Sequence, residues 1–288
     1  MAVAFDNVSF QYETASSIHS AALKQVSFQI PTGSFTSIIG RTGSGKSTIL
    51  QLIDGLILPA SGQITVGQTK LSAKSSLKNL KSFRQKIGFI FQFSENQLFE
   101  ETVEQDLIFG PKNFGIDEQT AKSRIKKVLN IVHLPLSILT KSPLDLSGGQ
   151  RKRAAIAAIL ISEPDILLLD EPVIGLDPSG QQELMAMFKE LNRQGRTIIM
   201  VSHEMDQVAA YSDQVIVMNQ GEVAEKGTVQ DIFSDEKRLQ ANHLRPPSAF
   251  KFAAELKKAG FPLSNGITSE NALSNQIAQV LLHRRGQL

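Results

Sequence analysis

The chain has 288 residues, 41% hydrophobic and 20% charged, enough to bury one substantial α/β core with a small module attached. Thirty basic and 28 acidic residues leave a net charge of +2, which supplies no basic field of the kind that holds nucleic acid, so no nucleic-acid partner is expected. Cysteine is absent, which excludes disulfides and thiolate metal ligands and fits a reducing compartment. The first ten residues show no charged segment followed by an apolar one, and the longest apolar run, around 154–161, falls far short of the roughly 18 residues a membrane span requires. A soluble, cytoplasmic chain is the expectation.

Apolar side chains alternate at Val8, Phe10 and Tyr12 and again at Val26, Phe28 and Ile30, ahead of the turn Pro31-Thr32-Gly33. That period predicts an opening antiparallel β-region. Residues 34–39 form a β-rich run that enters Gly40-Arg41-Thr42-Gly43-Ser44-Gly45-Lys46-Ser47-Thr48, and 47–54 carry helical spacing up to Gly55. Strand, glycine loop and helix in that order make a phosphate-binding loop: glycines let backbone amides converge on phosphate oxygens, and the helix presents its positive end to the same anion. Lys46 is expected to reach the β- and γ-phosphates of a nucleotide and Ser47 to hold Mg²⁺. Further β-like runs at 87–91, 166–170, 197–202 and 214–218, separated by helical patterns, predict a largely parallel sheet with helices on both faces. Between 93 and 163 the pattern is mostly helical, with apolar residues at helical spacing over 121–132, so a helical insertion is expected there. After 233 come a polar stretch with Arg245-Pro246-Pro247 and two short predicted helices, 248–259 and 269–282. The second places Leu273, Ile277, Val280 and Leu281 on one stripe, which must cover something.

The run Ile166-Leu167-Leu168-Leu169 ends in Asp170-Glu171 before Pro172. A buried strand ends in adjacent acids only where something cationic or polar meets them; an ordinary acidic turn is the plainer alternative. Asp170 is placed to hold Mg²⁺, directly or through water, and Glu171 to polarise an attacking water as general base. Leu146-Ser147-Gly148-Gly149-Gln150 opens a helix, with Ser147 as its cap and two glycines that permit close backbone approach. Arg151, Lys152 and Arg153 then sit where the helix dipole repels them. A nearby γ-phosphate or acidic partner surface would offset that, and a solvated basic face is the alternative.

With that pentapeptide, the phosphate loop and the acidic pair in one chain, the sequence resembles the ATP-binding cassette ATPases over nearly all of residues 1–232. The resemblance implies an α/β phosphate-loop ATPase core with a mostly parallel sheet, an antiparallel β-subdomain, a helical insertion at about 93–163 and a small C-terminal extension, 233–288, used for dimerisation. It implies ATP and Mg²⁺ as cofactors. In that family the pentapeptide closes over the γ-phosphate held by a partner subunit, which makes Ser147, Gly149 and Gln150 nucleotide contacts. Gln92 resembles the glutamine that joins the Mg²⁺ and water site to the helical insertion. Gly175-Leu176-Asp177-Pro178 resembles the loop that crosses the dimer interface, and His203 the switch histidine at the γ-phosphate. Tyr12 lies where the family stacks an aromatic on adenine, though a half-buried strand residue fits its position equally.

Such an ATPase must deliver its motion to another component. The interval 49–145 is too short, and lacks the heptads, for the coiled coil of chromosome-maintenance ATPases, and 288 residues cannot hold the two cassettes of the translation type. Transport remains. The segments 91–104 and 109–115 are similar to the ATPases of energy-coupling-factor transporters, most of all the second of their two paralogous ATPases. That similarity implies a bacterial subunit at the cytoplasmic face of the membrane. It implies three kinds of partner: a paralogous ATPase, a transmembrane coupling scaffold and a membrane substrate-binding subunit for a vitamin or metal ion. A conventional cassette importer or exporter is the alternative. Glu95, Glu100 and Glu101 beside Leu98 and Phe99 are expected to form an acidic, greasy groove suited to arginine-bearing coupling helices, with a solvated acidic loop as the plain reading. Val173-Ile174 departs from the threonine and small residue many relatives carry after the acidic pair and proline, which bears on packing and leaves Asp170, Glu171 and Asp177 untouched.

Overall fold

The computed structural model describes residues 3–12, 21–264 and 267–285. β1 (Val3–Gln11) and β2 (Ala21–Ile30) pair antiparallel, with Val3 opposite Ile30, Phe5 opposite Phe28 and Val8 opposite Val26. All six are buried, and Phe5 stacks on Phe28 with ring centroids 4.5 Å apart. The alternation expected to continue through Phe10 and Tyr12 is interrupted by a register shift between Val8 and Phe10, which leaves Phe10 half-buried and Tyr12 exposed.

The chain continues through β3 (Phe35–Gly40), α1 (Lys46–Asp54), β4 (Ser61–Val66), β5 (Thr69–Leu71), α2 (Lys81–Arg84) and β6 (Ile87–Ile90). The helical insertion holds α3 (Val103–Phe114), α4 (Glu118–Ile131) and α5 (Gly148–Leu160), after which β7 (Ile166–Asp170), α6 (Pro178–Arg193), β8 (Thr197–Val201), α7 (Met205–Tyr211), β9 (Gln214–Asn219) and β10 (Glu222–Thr228) complete the sheets. Four strands form an antiparallel sheet in the order β2-β1-β4-β5; six form a second sheet, β10-β9-β3-β8-β7-β6, parallel except for β10 at its edge.

The apolar runs of β7 and β8, and the complete burial of β3 with its Thr36 and Ser37, follow from two-sided burial. Leu167 and Leu169 face a core shared with α3 to α7, while Ile166 and Leu168 face a second core shared with α1, α2 and the four-stranded sheet. Among the described residues helix cover on this second face is thus limited to α1 and α2, and the antiparallel sheet completes it. β4, β5 and β10 do not stand out in the sequence: β10 alternates half-buried and exposed residues along an edge, with only Val223 as a large apolar side chain.

Beyond β10, α8 (Val229–Phe233) and α9 (Glu236–Ala241) pack on the main core, and α10 (Ser248–Lys258) and α11 (Glu270–Arg285) build a small cluster of Ala249, Ala253, Leu263, Ile267 and Leu273. The stripe on α11 is only half used. Leu273 is buried and Ile277 partly so, whereas Leu281 is 48% and Leu282 68% exposed.

Candidate active site

β3 delivers the chain into the glycine loop and α1 carries it away, so the loop sits at the carboxyl end of a central strand. Gly45 caps α1 with φ +102°, and a Cβ there would lie 2.6 Å from both Ala22 O and Leu23 Cδ2. Gly40, at φ +147°, would drive a Cβ into Met218 O of β9. These two positions admit only glycine. Arg41, Thr42 and Gly43 form the exposed crest of the loop, and Ser44 beneath it is buried with an unpaired Oγ. Lys46 Nζ folds back to donate to Gly40 O at 2.8 Å and Arg41 O at 2.9 Å. Thr48 Oγ1 lies 3.1 Å from Tyr12 Oη, which also donates to Gln51 Oε1 at 3.0 Å. Tyr12 is therefore pinned by its hydroxyl at the mouth of the cleft with its ring 42% exposed.

β7 ends in Asp170, whose Oδ1 accepts from Ser47 Oγ at 3.4 Å. Burial pushes the Asp170 carboxyl up and the Lys46 ammonium down from their ordinary pKa values. Each is a desolvated charge that a ligand of opposite sign would stabilise. Glu171 adopts φ +50°, its N–H donating to Val201 O at 3.0 Å. His203 Nδ1 stands 2.8 Å from Glu171 Oε2, yet that buried oxygen has no hydrogen bond of acceptable geometry. His203 Nε2 lies 3.3 Å from Glu204 Oε1. The phosphate loop, Tyr12, Gln92, Asp170, Glu171 and His203 together enclose a cleft of about 620 Å³, within the range of small-molecule sites.

The residues fit Mg²⁺ with a bound nucleotide. Ser47 and Asp170 offer two hard oxygen donors in contact with each other, the kind of sparse set Mg²⁺ takes when phosphates and waters supply the rest. Among the described residues no cluster of three or more His, Cys, Asp or Glu forms a metal cage of its own.

The pentapeptide lies apart from this cleft, whose lining includes none of its residues. Ser147 caps α5 in a reciprocal box: its Oγ accepts from Gln150 N at 3.3 Å and its N–H donates to Gln150 Oε1 at 3.2 Å. A Cβ on Gly148 would meet nothing, and one on Gly149 only Leu176 Cδ2 at 4.0 Å. The fold itself does not require these glycines.

The three basic residues that follow are not a solvated basic face. Arg151 Nη2 donates to Leu146 O at 3.2 Å, and Arg153 donates to Val132 O at 3.1 Å and to Glu183 Oε2 at 2.7 Å. Lys152 is buried and donates to Ile174 O at 2.6 Å. They staple α5 to its own chain. Glu95, expected in the groove, turns inward instead, with Oε2 3.9 Å from Lys152 Nζ. The groove that does form is small, about 120 Å³, between Leu98, Phe99 and Phe109 on one side and Ala155, Ala158 and Ile159 on the other, with the polar Gln97 and Asp106 also in its lining. Phe99 is 64% exposed and meets Phe109 edge-on at 4.8 Å. Glu100 and Glu101 stand outside its lining. Asp106, buried and missed in the sequence, braces this turn by accepting from Phe99 N at 3.1 Å and Glu100 N at 3.2 Å. Asp177 caps α6, accepting from Gly180 N at 2.8 Å.

The sequence model of the ABC transporter family matches residues 23–174. The energy-coupling factor transporter ATP-binding protein EcfA3 of Oenococcus oeni is 60% identical over 277 residues, 96% of each chain. EcfA2 of Lacticaseibacillus paracasei is 47% identical over 278 residues, again 96% of each. Among solved structures, cbiO1 from Clostridium perfringens, part of the ABC transporter complex cbiONQ, superposes with TM-score 0.73 at 33% identity over 89% of this chain and 98% of its own. A dimeric ATP-binding cassette in a post-hydrolysis state bound to ADP and Pi gives TM-score 0.67 at 31% identity over 79% of this chain and 98% of its own. The chain belongs to the ABC transporter ATPases and, within them, to the energy-coupling factor ATP-binding proteins, enzymes that couple ATP hydrolysis to transport. Among the described residues no helix is long and apolar enough to cross a membrane.

Proposed function

We propose that the chain is one half of an ATPase heterodimer, paired with a paralogue at the cytoplasmic face of the membrane, that energises uptake of a vitamin or metal ion through a transmembrane scaffold and a separate substrate-binding membrane subunit. The carrying observation is the separation within one chain: the phosphate loop and acids share a cleft, while Ser147 and Gly149 stand outside it with glycines the local fold does not need. Two such chains facing one another supply each cleft with the other's Ser147-Gly149 amides. Exposed Leu281 and Leu282 on α11 give the extension an apolar surface for the same pairing.

In the closed pair Lys46 exchanges its own loop carbonyls for the β- and γ-phosphates, Tyr12 lies against adenine, and Ser47 and Asp170 hold Mg²⁺, with Gln92 beside them. Held by Ser47 and Asp170, a bound Mg²⁺ would supply charge neutralisation to the phosphate oxygens. Glu171 takes the proton of the attacking water, and His203, 2.8 Å from its carboxylate, faces the γ-phosphate. Asp177 holds the loop that meets the partner. Glu171→Gln is expected to retain nucleotide binding and to lose about 10²- to 10⁴-fold in kcat when assembled with its partner. Turnover at the unaltered rate would sink the assignment. Co-purification from membranes tests the assembly: a paralogous ATPase with two small membrane proteins supports it, and a single large membrane domain points to a conventional transporter.

A further inference from the structure

α5 carries a charge that the nucleotide site does not use. Lys152 is 2% exposed, one of the largest fully buried side chains in the molecule, and a buried ammonium is costly unless it is paired and hydrogen-bonded. An apolar side chain would fill the space without that cost, so the contacts Lys152 makes are what the charge serves. Its Nζ donates to Ile174 O at 2.6 Å, and Glu95 Oε2, which accepts no hydrogen bond, supplies a counter-charge at 3.9 Å. Burial holds the lysine below its usual pKa, and Glu95 opposes that shift.

Ile174 continues the path toward the chemistry. Its N–H donates to Glu171 O at 3.3 Å, while Glu171 N–H donates to Val201 O at 3.0 Å. These two bonds grip a residue at φ +50°, the left-handed region that a glutamate enters only when its surroundings over-determine it. Two hydrogen bonds thus lead from the buried lysine to the backbone of the acid in the cleft.

We propose that Lys152 is a positioning residue for hydrolysis: by holding the Ile174 carbonyl it locks the turn that keeps Glu171 in its left-handed conformation. This rests on Glu171 acting as the base, as proposed above. Lys152→Met, in the full chain assembled with its partner cassette, is expected to lower kcat about ten-fold or more while nucleotide affinity stays within about two-fold. Lys152→Arg, which keeps a donor to Ile174 O, should recover most of that loss. In a Glu171→Gln background Lys152→Met should add nothing, because residues acting as a unit are non-additive. Where the single variant does not fold, Lys152→Met with Glu95→Gln removes the unpaired carboxylate as well, and the same fall in kcat is expected. Turnover within about two-fold of wild type for Lys152→Met, alone or with Glu95→Gln, or an equal further loss in the Glu171→Gln background, overturns the proposal. Unaltered turnover by Glu171→Gln alone would instead remove the base assignment beneath it.

Discussion

Asp54, the last residue of α1, is buried, and burial pushes its carboxyl from 3.8 up to about 7 against the pull of the Arg84 guanidinium. Arg84 meanwhile donates to Gly55 O at 2.6 Å. The folded state therefore binds the Asp54 proton more tightly than the unfolded chain does. Its stabilising effect is complete below the ordinary aspartate value and is lost as pH rises through about 7. A separation of this size bounds the effect at about 4 kcal/mol. Asp54→Asn is expected to melt above wild type at pH 8 and level with it near pH 4, and equal melting temperatures at pH 8 would refute this. A second residue-scale expectation concerns Gly45→Ala: the strained φ and the 2.6 Å approach to Ala22 O should weaken ATP binding in equilibrium titration by at least about ten-fold. Lys46, Ser47, Asp170 and Glu171 are legible in the sequence because their chemistry is tied to neighbours in the chain: glycines before a helix, acids after a strand. Lys152 and Asp54 are not, because what makes them unusual is burial by distant segments, and a lysine after an arginine reads as surface until Ile174 is seen to cover it.

At the scale of elements, α5 carries two surfaces on one rigid rod. Its N-terminus presents Ser147 and Gly149, and its middle supplies Ala155, Ala158 and Ile159 to the groove. The start of α5 is readable because a serine followed three residues later by glutamine is a capping box, and the box is present in the structure. Ser147→Ala should cost about 1 kcal/mol through the lost cap, which corresponds to a fall in melting temperature of about 2 °C. If Ser147 also meets a partner's nucleotide, turnover of the dimer should fall far more than that stability loss explains. The strands that escape sequence reading fail for the opposite reason. β4, β5 and β10 take their conformation from pairing, β4 to β1, β5 to β4 and β10 to β9, and not from a dense apolar alternation of their own.

For the whole molecule, the two cores divide the labour. One packs α1 between the sheets and fixes the glycine loop; the other joins the insertion, α6 and α7, so the groove and the pentapeptide belong to a different packing unit from that loop. Gln92 lines the cleft and Glu95, three residues on, meets Lys152 of α5, whose Nζ donates to Ile174 O in the turn after Glu171, so these segments join the cleft to α5. Docking at Phe99 and Phe109 should consist of apolar contact in the groove with charge at its rim, since Glu95 is drawn inside and Glu100 and Glu101 remain free to meet a cationic helix. Glu100→Lys with Glu101→Lys is therefore expected to cut recovery of the membrane scaffold about ten-fold or more in co-purification, because each reversal replaces a charge-assisted pair with a repulsion. ATP affinity should stay within about two-fold, as neither residue touches the cleft. Equal recovery of the scaffold with the doubly reversed chain would place the contact on the aromatic pair alone, and Phe99→Ala would then have to release it.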